Sequence, residues 1–305
     1  MPKKDVLVET PATAWWFEGL RIGLGQKRPY GVEKTVEPEV FKKVKSGYSH
    51  TNKWRVYKSG LRLPRASLIQ KAENILPGSA ASFAHPIWKV GRFPADETIS
   101  CVASEWLHQL NVAMLPWFFR VNPAGGAEVR RGVSPRTLCA LTHRADLDAF
   151  TALSILLREA AENRRFKVAM AAGDALHQSL LHAAVNGSEQ MQIVLPKIFA
   201  MLVARVFPFA RDQRHYYCYD GLDLAEFCNL FRRAVHAGRK SIRLNSTQID
   251  NVDDAIRGRY FKELGMLHFV MPKRPLITTG AFVEAEENFQ AHMKMWQGAI
   301  GSFGN

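Results

Sequence analysis

A chain of 305 residues with 23% charged and 47% hydrophobic residues is typical of a globular protein with one large or two ordinary domains. Val6–Ala14 is too short and too polar for the apolar core of a secretory signal. The most apolar stretch, Ile193–Ala210, contains two charges and two prolines, which favours a buried helix over a membrane span. The four cysteines show no C-x-x-C spacing, and three lie in apolar helical patterns, which predicts buried, inert thiols in a reducing cytoplasm.

The net charge of +13 is concentrated at one end of the chain. Residues 1–95 contain 17 Lys and Arg and 7 Asp and Glu, whereas residues 96–305 contain 24 and 21. An excess confined to one end favours contact with a nucleic acid or an anionic membrane surface there. A lysine-rich solvated face is the alternative that composition leaves open.

Proline and glycine divide the first part of the chain into short helices. Residues 1–12 are predicted to be a loose tail, residues 13–78 a basic helical domain, and residues 79–96, which contain Pro86, Gly91 and Pro94, a linker. A lysine-rich connection, Val40–His50, interrupts the domain. The predicted helices are Ala14–Leu24, Tyr30–Val36, Thr51–Lys58 and a fourth that begins at Pro64.

Residues 97–305 show helical periodicity almost throughout, so the predicted fold class is mainly α, with a larger helical bundle and at most a few short strands. The predicted helices are Glu97–Phe119, Ser134–Leu141, Ala145–Glu162, Phe166–Ala184, Gln190–Phe207, Leu222–Ala237, Asn251–Leu264 and Phe282–Ile300. The candidate strands are Tyr216–Tyr219 and Leu267–Met271.

The segment from Thr51 to Arg65 has the features that DNA recognition requires. A helix that reads the major groove presents short polar or basic side chains, and flanking cations reach the phosphates. Trp54 and Tyr57 are three residues apart, so we expect them to share a face that anchors the helix in the core. Thr51, Asn52, Lys53 and Val56 then fall on the outside. The side chains suited to phosphates are Arg55, Lys58, Arg62 and Arg65.

The run W-x-x-Y-x-x-G-x-R-x-P, at Trp54, Tyr57, Gly60, Arg62 and Pro64, resembles the Cro/repressor-type (Xre-like) helix-turn-helix domain. In that family a recognition helix ends at a glycine, a basic residue and a proline follow, and an amphipathic helix comes next. The resemblance covers about residues 13–78 and implies a helix-turn-helix-like domain that binds DNA. The residues it implies as base-facing are Thr51, Asn52, Lys53 and Val56.

One departure from the family pattern is the insertion before the expected recognition helix. Family members have a turn of a few residues there, whereas Glu37–His50 intervene in this chain. Lys42, Lys43 and Lys45 make the insertion a candidate phosphate-contacting wing. Adaptation to RNA or to a protein partner is the alternative, and so is a small helical domain in which Trp54 serves only the core.

The larger domain has one pattern compatible with metal binding. His143 and Asp146 would share a helix face, as would Asp174 and His177, and two such helices side by side could hold a divalent ion. The alternative is that Asp146 begins a helix, and that His177 and His182 are ordinary surface or boundary residues. No P-loop, G-x-G-x-x-G, H-E-x-x-H or G-x-S-x-G motif occurs. We therefore predict no metal, no cofactor and no catalytic residue, and favour a protein without enzymatic activity.

Together these patterns predict a cytoplasmic nucleic-acid-binding protein, with DNA favoured over RNA. The N-terminal domain would hold DNA, as in transcription regulation. The C-terminal helical domain would oligomerise, bind a ligand or recruit a protein partner. The first alternative is an accessory or effector subunit of a nucleoprotein assembly of the mobile-element or phage-defence type. The second is a metal-dependent enzyme.

Overall fold

The computed structural model describes residues 5–44, 47–49, 52–121, 128–212, 215–219, 223–241, 252–254, 256 and 273–275. Most of these residues are helical, which confirms the mainly α class. The helices are α1 (Val6–Gly23), α2 (Pro29–Val36), α3 (Lys53–Ser59), α4 (Ala66–Ile75), α5 (Ala81–Ala84), α6 (Pro86–Arg92), α7 (Ala103–His108), α8 (Leu115–Phe118), α9 (Pro135–Arg144), α10 (Leu147–Glu162), α11 (Phe166–Asn186), α12 (Glu189–Arg205) and α13 (Leu224–Ser241). Residues 252–254 are also helical.

The described strands form three separate antiparallel pairs. They are β1 (Lys42–Val44) with β2 (Gly47–Ser49), β3 (Phe119–Val121) with β4 (Glu128–Arg130), and β5 (His215–Tyr217) with β6 (Lys273–Pro275). The first pair occupies the predicted insertion, so that segment is a β-hairpin between α2 and α3 rather than an open connection. Its register pairs Lys42 with Ser49 and Val44 with Gly47.

Helix α1 joins two hydrophobic cores. Its first turns place Val8 and Ala12 in the larger core, and its later turns place Trp16 and Phe17 in the smaller one. The prediction of a loose tail over residues 1–12 was therefore wrong where the structure describes them. Helix α1 continues through Pro11, which has no N–H to donate to the Leu7 carbonyl, and Val8 and Ala12 beside it are fully buried.

Helix α12 lies antiparallel along α1. Arg205, in the last turn of α12, bonds Asp5 at 3.0 Å before the start of α1, and Arg21, near the end of α1, pairs with Glu189 at the start of α12. Between these ends the Gln190 side chain donates to the Trp15 carbonyl at 2.8 Å. The basic N-terminal part is thus fixed to the helical bundle along a whole helix.

The smaller core contains the aromatic residues of the predicted recognition helix. Trp54 and Tyr57 are buried, as predicted, and the ring of Trp54 stacks on Trp16 with centroids 5.7 Å apart. The Trp54 Nε1–H donates to the Glu37 carboxylate at 3.0 Å. Leu68 of α4 completes this core. The exposed face of α3 is therefore fixed by what its opposite face buries.

Residues 79–96, predicted to be a linker that Phe83, Ile87 and Trp88 pack onto one of the domains, are largely helical. They form α5 and α6, and Ile87 and Trp88 are fully buried in the larger core. Pro86 does not interrupt a helix but begins one, and His85 caps it by accepting the Ile87 N–H at 3.2 Å. Pro86 was interpreted as a sign of irregular structure, whereas a proline is well tolerated at the first position of a helix.

The single predicted helix Glu97–Phe119 is also wrong, because the segment breaks into α7 and α8 with short 3₁₀ turns around them. Helix α7 ends at His108, and the side chain of Asn111 caps the next turn by accepting the Ala113 N–H at 2.9 Å. Pro116 then lies in the first turn of α8. The following helical predictions are confirmed through α13, and β5 confirms a strand at the first candidate position. Leu267–Met271, Phe282–Ile300 and most of Asn251–Leu264 lie outside the described residues.

Helices α10 and α11 form the centre of the larger core. Of the four cysteines only Cys228 is buried there, whereas Cys101 and Cys139 are exposed, so the expectation of three buried thiols was wrong. Their helices are amphipathic or short, and both thiols fall on the solvent side. None of the described helices is long and apolar enough to span a membrane.

Candidate nucleic-acid interface

The segment between Glu39 and Glu73 is exclusively basic in its ionised side chains. It contains nine Lys and Arg and no Asp or Glu. Two of these cations are compensated from outside the segment: Lys53 pairs with Glu37 at 2.7 Å, and Lys71 pairs with Glu39. Four others are exposed and form no ion pair within the described part of the chain. They are Arg55, Lys58, Arg62 and Arg65.

Lys53, implied as base-facing by the family resemblance, already has an acidic partner within the protein. Its ammonium reaches back to Glu37, the same carboxylate that accepts the Trp54 indole N–H. We therefore assign Lys53 to holding the first turn of α3 against the end of α2. Of the other three residues implied as base-facing, Val56 is 36% exposed on the outer side of α3.

Asn52 precedes α3 in the left-handed region, with φ of 54°. Asparagine adopts this conformation more readily than other side chains that have a Cβ. The residue is exposed and lies beside the cations of α3. Thr51 and Lys45 are outside the described residues, and Lys42 and Lys43 lie on β1 of the hairpin.

A cleft of about 570 Å³ lies between the start of α2 and the outer face of α3. It brings together three predicted site residues, Asn52, Arg55 and Lys58, with two that sequence reasoning missed, Arg28 and Tyr30. The sequence did place Arg28 at the start of a helix, because Pro29 directly after it is typical of a first helical position. Helix α2 also adds the partial positive charge of its N-terminus.

One acidic residue, Glu33, lines the same cleft but is only 1% exposed. Tyr30, by contrast, is 43% exposed, and its ring meets that of Phe41 edge-on at 5.2 Å. The accessible part of the cleft therefore offers three cations, an amide and an aromatic ring. This set binds anions and stacks on planar groups.

The four residues of the predicted metal pattern are held by four different partners. Asp146 caps α10 by accepting the Ala149 N–H at 2.9 Å, and Asp174 accepts from the Tyr217 hydroxyl at 2.6 Å. His177 bonds the Tyr219 hydroxyl at 3.0 Å, whereas His143 approaches Asp253. The predicted quartet is therefore not a site. His177 is fully buried against the rings of Tyr217 and Tyr219, so the alternative that it is an ordinary surface or boundary residue was also wrong.

A second cavity, of about 680 Å³, lies where α9, α10 and the start of α12 approach α5 and α6. His85, His143 and Asp148 are among the residues that line it. Burial raises the pKa of Asp146 here. Burial alone would also raise the pKa of Asp148, but its hydrogen bond with His85 at 3.1 Å holds that pKa below its usual value.

Behind this cavity, His143 and His182 converge on the carboxylate of Asp253. Sequence reasoning missed Asp253 and treated His182 as a boundary residue, although it is 1% exposed. Burial lowers the pKa of His182, and its hydrogen bond with Asp253 opposes that effect. No local motif could have revealed the cluster, because its members are far apart in the chain.

Comparison with known proteins gives no family for this chain: no family model, curated protein or solved structure shows a significant match.

Proposed function

We propose that this chain is a nucleic-acid-binding protein that contacts duplex DNA through the basic face of α2, α3 and α4. The observation that carries the proposal is the cleft in which Arg28, Arg55 and Lys58 meet at the start of α2. Phosphate contacts need several cations held at one accessible surface, and such contacts dominate affinity for nucleic acids.

The shape of this face supports a duplex partner. Helix α3 has seven residues, and a helix of that size is about 10 Å long, short enough to enter a major groove end-on. Asn52, just before its first turn, would be the base-reading group, because an amide side chain can pair with an adenine edge. Arg62 and Arg65 follow α3 and would reach the phosphates beside it. The hairpin β1–β2, with its three lysines in sequence, would act as a wing on the adjoining backbone.

Fluorescence anisotropy with a labelled random duplex, measured over a series of salt concentrations, tests the proposal. The double variant Arg55→Ala/Lys58→Ala should bind more weakly and lower the slope of log K against log salt by about two units. The matched control is Arg136→Ala/Lys167→Ala, which removes two exposed cations from the helical bundle and should leave the slope unchanged.

Two results would count against the proposal. One is that the wild-type protein fails to bind duplex DNA at low salt. The other is that the cleft and control variants lose affinity equally. Stronger binding of a single-stranded RNA of the same sequence would redirect the proposal to RNA.

The wider role stays a prediction. Transcription regulation, or membership of a nucleoprotein assembly, requires residues 97–305 to bind a protein partner, a ligand or a second copy of the chain. Light scattering of the purified protein, alone and with DNA, would identify self-association.

A further inference from the structure

The cluster behind the second cavity consists of two imidazoles that share one carboxylate. His143 lies near the end of α9, His182 lies on α11, and Asp253 belongs to the short helical segment 252–254. The His143 Nε2 is 3.1 Å from one carboxylate oxygen of Asp253, and the His182 Nε2 is 2.9 Å from the other. The two rings meet edge-on with centroids 5.1 Å apart.

These separations match those between the ligands of a metal ion. One ligand atom from each of the three residues lies within 4.8 Å of the others. Metal–ligand bonds of 2.0–2.1 Å at tetrahedral angles separate neighbouring ligand atoms by about 3.3 Å. An ion can therefore replace the shared protons with small side-chain movements.

The support around the three residues fixes them in place. His182 lies on α11 and is only 1% exposed, so packing holds its ring in place. Val252, next to Asp253, is fully buried, so the segment that supplies the carboxylate is packed onto the bundle. The ligands thus come from rigid elements, as a preformed metal site requires.

The site is also accessible. The side chains of His143 and Asp253 are 30% and 23% exposed, whereas that of His182 is 1% exposed. His143 lines the cavity of about 680 Å³, whereas His182 and Asp253 lie behind it, so an ion held by all three would be next to the cavity on the His143 side. Three protein ligands beside open space leave room for water or a small-molecule ligand, which is the arrangement of catalytic rather than structural zinc sites.

We propose that His143, His182 and Asp253 bind one divalent transition-metal ion of the zinc class, with an open coordination position towards the cavity. Imidazole nitrogen together with carboxylate oxygen suits zinc and its first-row neighbours, whereas calcium and magnesium prefer oxygen alone. This site is independent of the basic face and of its proposed DNA contact.

Metal titration of the full chain tests the proposal. The protein is purified without a metal-affinity tag, stripped with a chelator and titrated with Co²⁺, whose visible absorption intensifies in four-coordinate sites, and then with Zn²⁺ in competition. The wild-type protein should take up one equivalent of either ion. Elemental analysis of unstripped protein should show which ion it carries.

Two ligand variants and one control make the test specific. His143→Gln and Asp253→Asn change partly exposed ligands and keep their approximate size, and each should weaken binding by more than about 100-fold, since loss of a mere supporting contact costs 10–100-fold. His108→Gln removes an exposed imidazole that pairs with Glu128 elsewhere, and it should bind like the wild type. Circular dichroism verifies that each variant keeps its helical content.

Three outcomes would overturn the proposal. The first is wild-type protein that takes up no stoichiometric Co²⁺ or Zn²⁺. The second is His143→Gln and Asp253→Asn variants that are folded and bind as tightly as the wild type. The third is equal loss in His108→Gln, which would show binding at surface histidines only.

Discussion

At the scale of single residues, buried polar side chains hold segments that lack regular structure. Arg158 of α10 is fully buried, and its guanidinium lies between the rings of Phe93 and Phe209, at 5.0 and 4.6 Å from their centroids. It donates to the carbonyls of Phe93 and Pro94 at 3.0 and 2.7 Å. Both carbonyls lie just after the end of α6, where the chain is no longer helical. Arg158 therefore supplies the hydrogen-bond donors that helical N–H groups would supply within a helix.

Arg158→Met should therefore destabilise the protein although it keeps an apolar stem of similar length. Two partly buried carbonyl groups lose their donors, and we expect a loss of about 2–4 kcal/mol in the free energy of unfolding. Urea denaturation followed by circular dichroism measures it. Arg165→Met, at an exposed site just after the same helix, should change stability by no more than about 0.5 kcal/mol. Equal effects of the two substitutions would refute the role given to Arg158.

At the scale of elements, the end of α3 depends on a close approach to α1. Gly60 ends α3 with φ of 79°, and a Cβ at this position would lie 2.3 Å from the Thr10 carbonyl oxygen. The backbone of α1 cannot move away without disturbing the contacts of α1 with α12. This glycine therefore fixes the distance between the basic face and the bundle.

Gly60→Ala should cost about 3 kcal/mol or more, because a left-handed conformation accounts for only about 1–2 kcal/mol and the clash with backbone adds to it. Gly25→Ala is the matched control, since Gly25 has φ of 65° but a Cβ added there would meet nothing within 4 Å. It should cost about 1–2 kcal/mol. Thermal unfolding of both variants measures the difference. If the Gly60→Ala protein is no less stable than Gly25→Ala, the backbone of α1 near Thr10 can move away from position 60 at little cost.

At the scale of the whole molecule, α1 joins the two cores, and Phe83 of α5 packs against both of them. Val8 and Ala12 of α1 belong to the larger core, and Trp16 and Leu20 to the smaller one. Because one helix contributes residues to both cores, loss of packing in one core should also destabilise the other. We therefore expect the described parts to unfold in one cooperative transition rather than as a separate DNA-binding domain and bundle.

Deletion of residues 1–12 tests this expectation. It removes Val8 and Ala12 from the larger core and the Asp5–Arg205 ion pair, so it should lower the unfolding midpoint of the whole protein rather than leave it unchanged as loss of a loose tail would. Deletion of residues 1–4 is the comparison, because it keeps Asp5, Val8 and Ala12 in place. Calorimetry reports the number and position of the transitions. Two separate transitions in the full chain would contradict the joined-core description.

Local sequence signals determined the helical class, the order of the later helices and the buried face of α3. Helical periodicity and caps act within a few residues, so Trp54 and Tyr57 could be assigned to the core from their spacing alone. The positive charge of the first 95 residues could also be determined from the sequence, because it depends only on composition. These properties require no knowledge of what lies opposite a given side chain.

Only the tertiary structure decided which of these side chains act together. Lys53 looked like a base contact until Glu37, 16 residues earlier, was found to neutralise it. His182 and Asp253 are 71 residues apart, and no spacing rule connects them. Both contacts depend on how helices pack, which is fixed by the shapes of buried faces rather than by local pattern. The sequence alone therefore determined the fold class and the charged end of the chain, and packing decided the cleft, the histidine cluster and the link between the two cores.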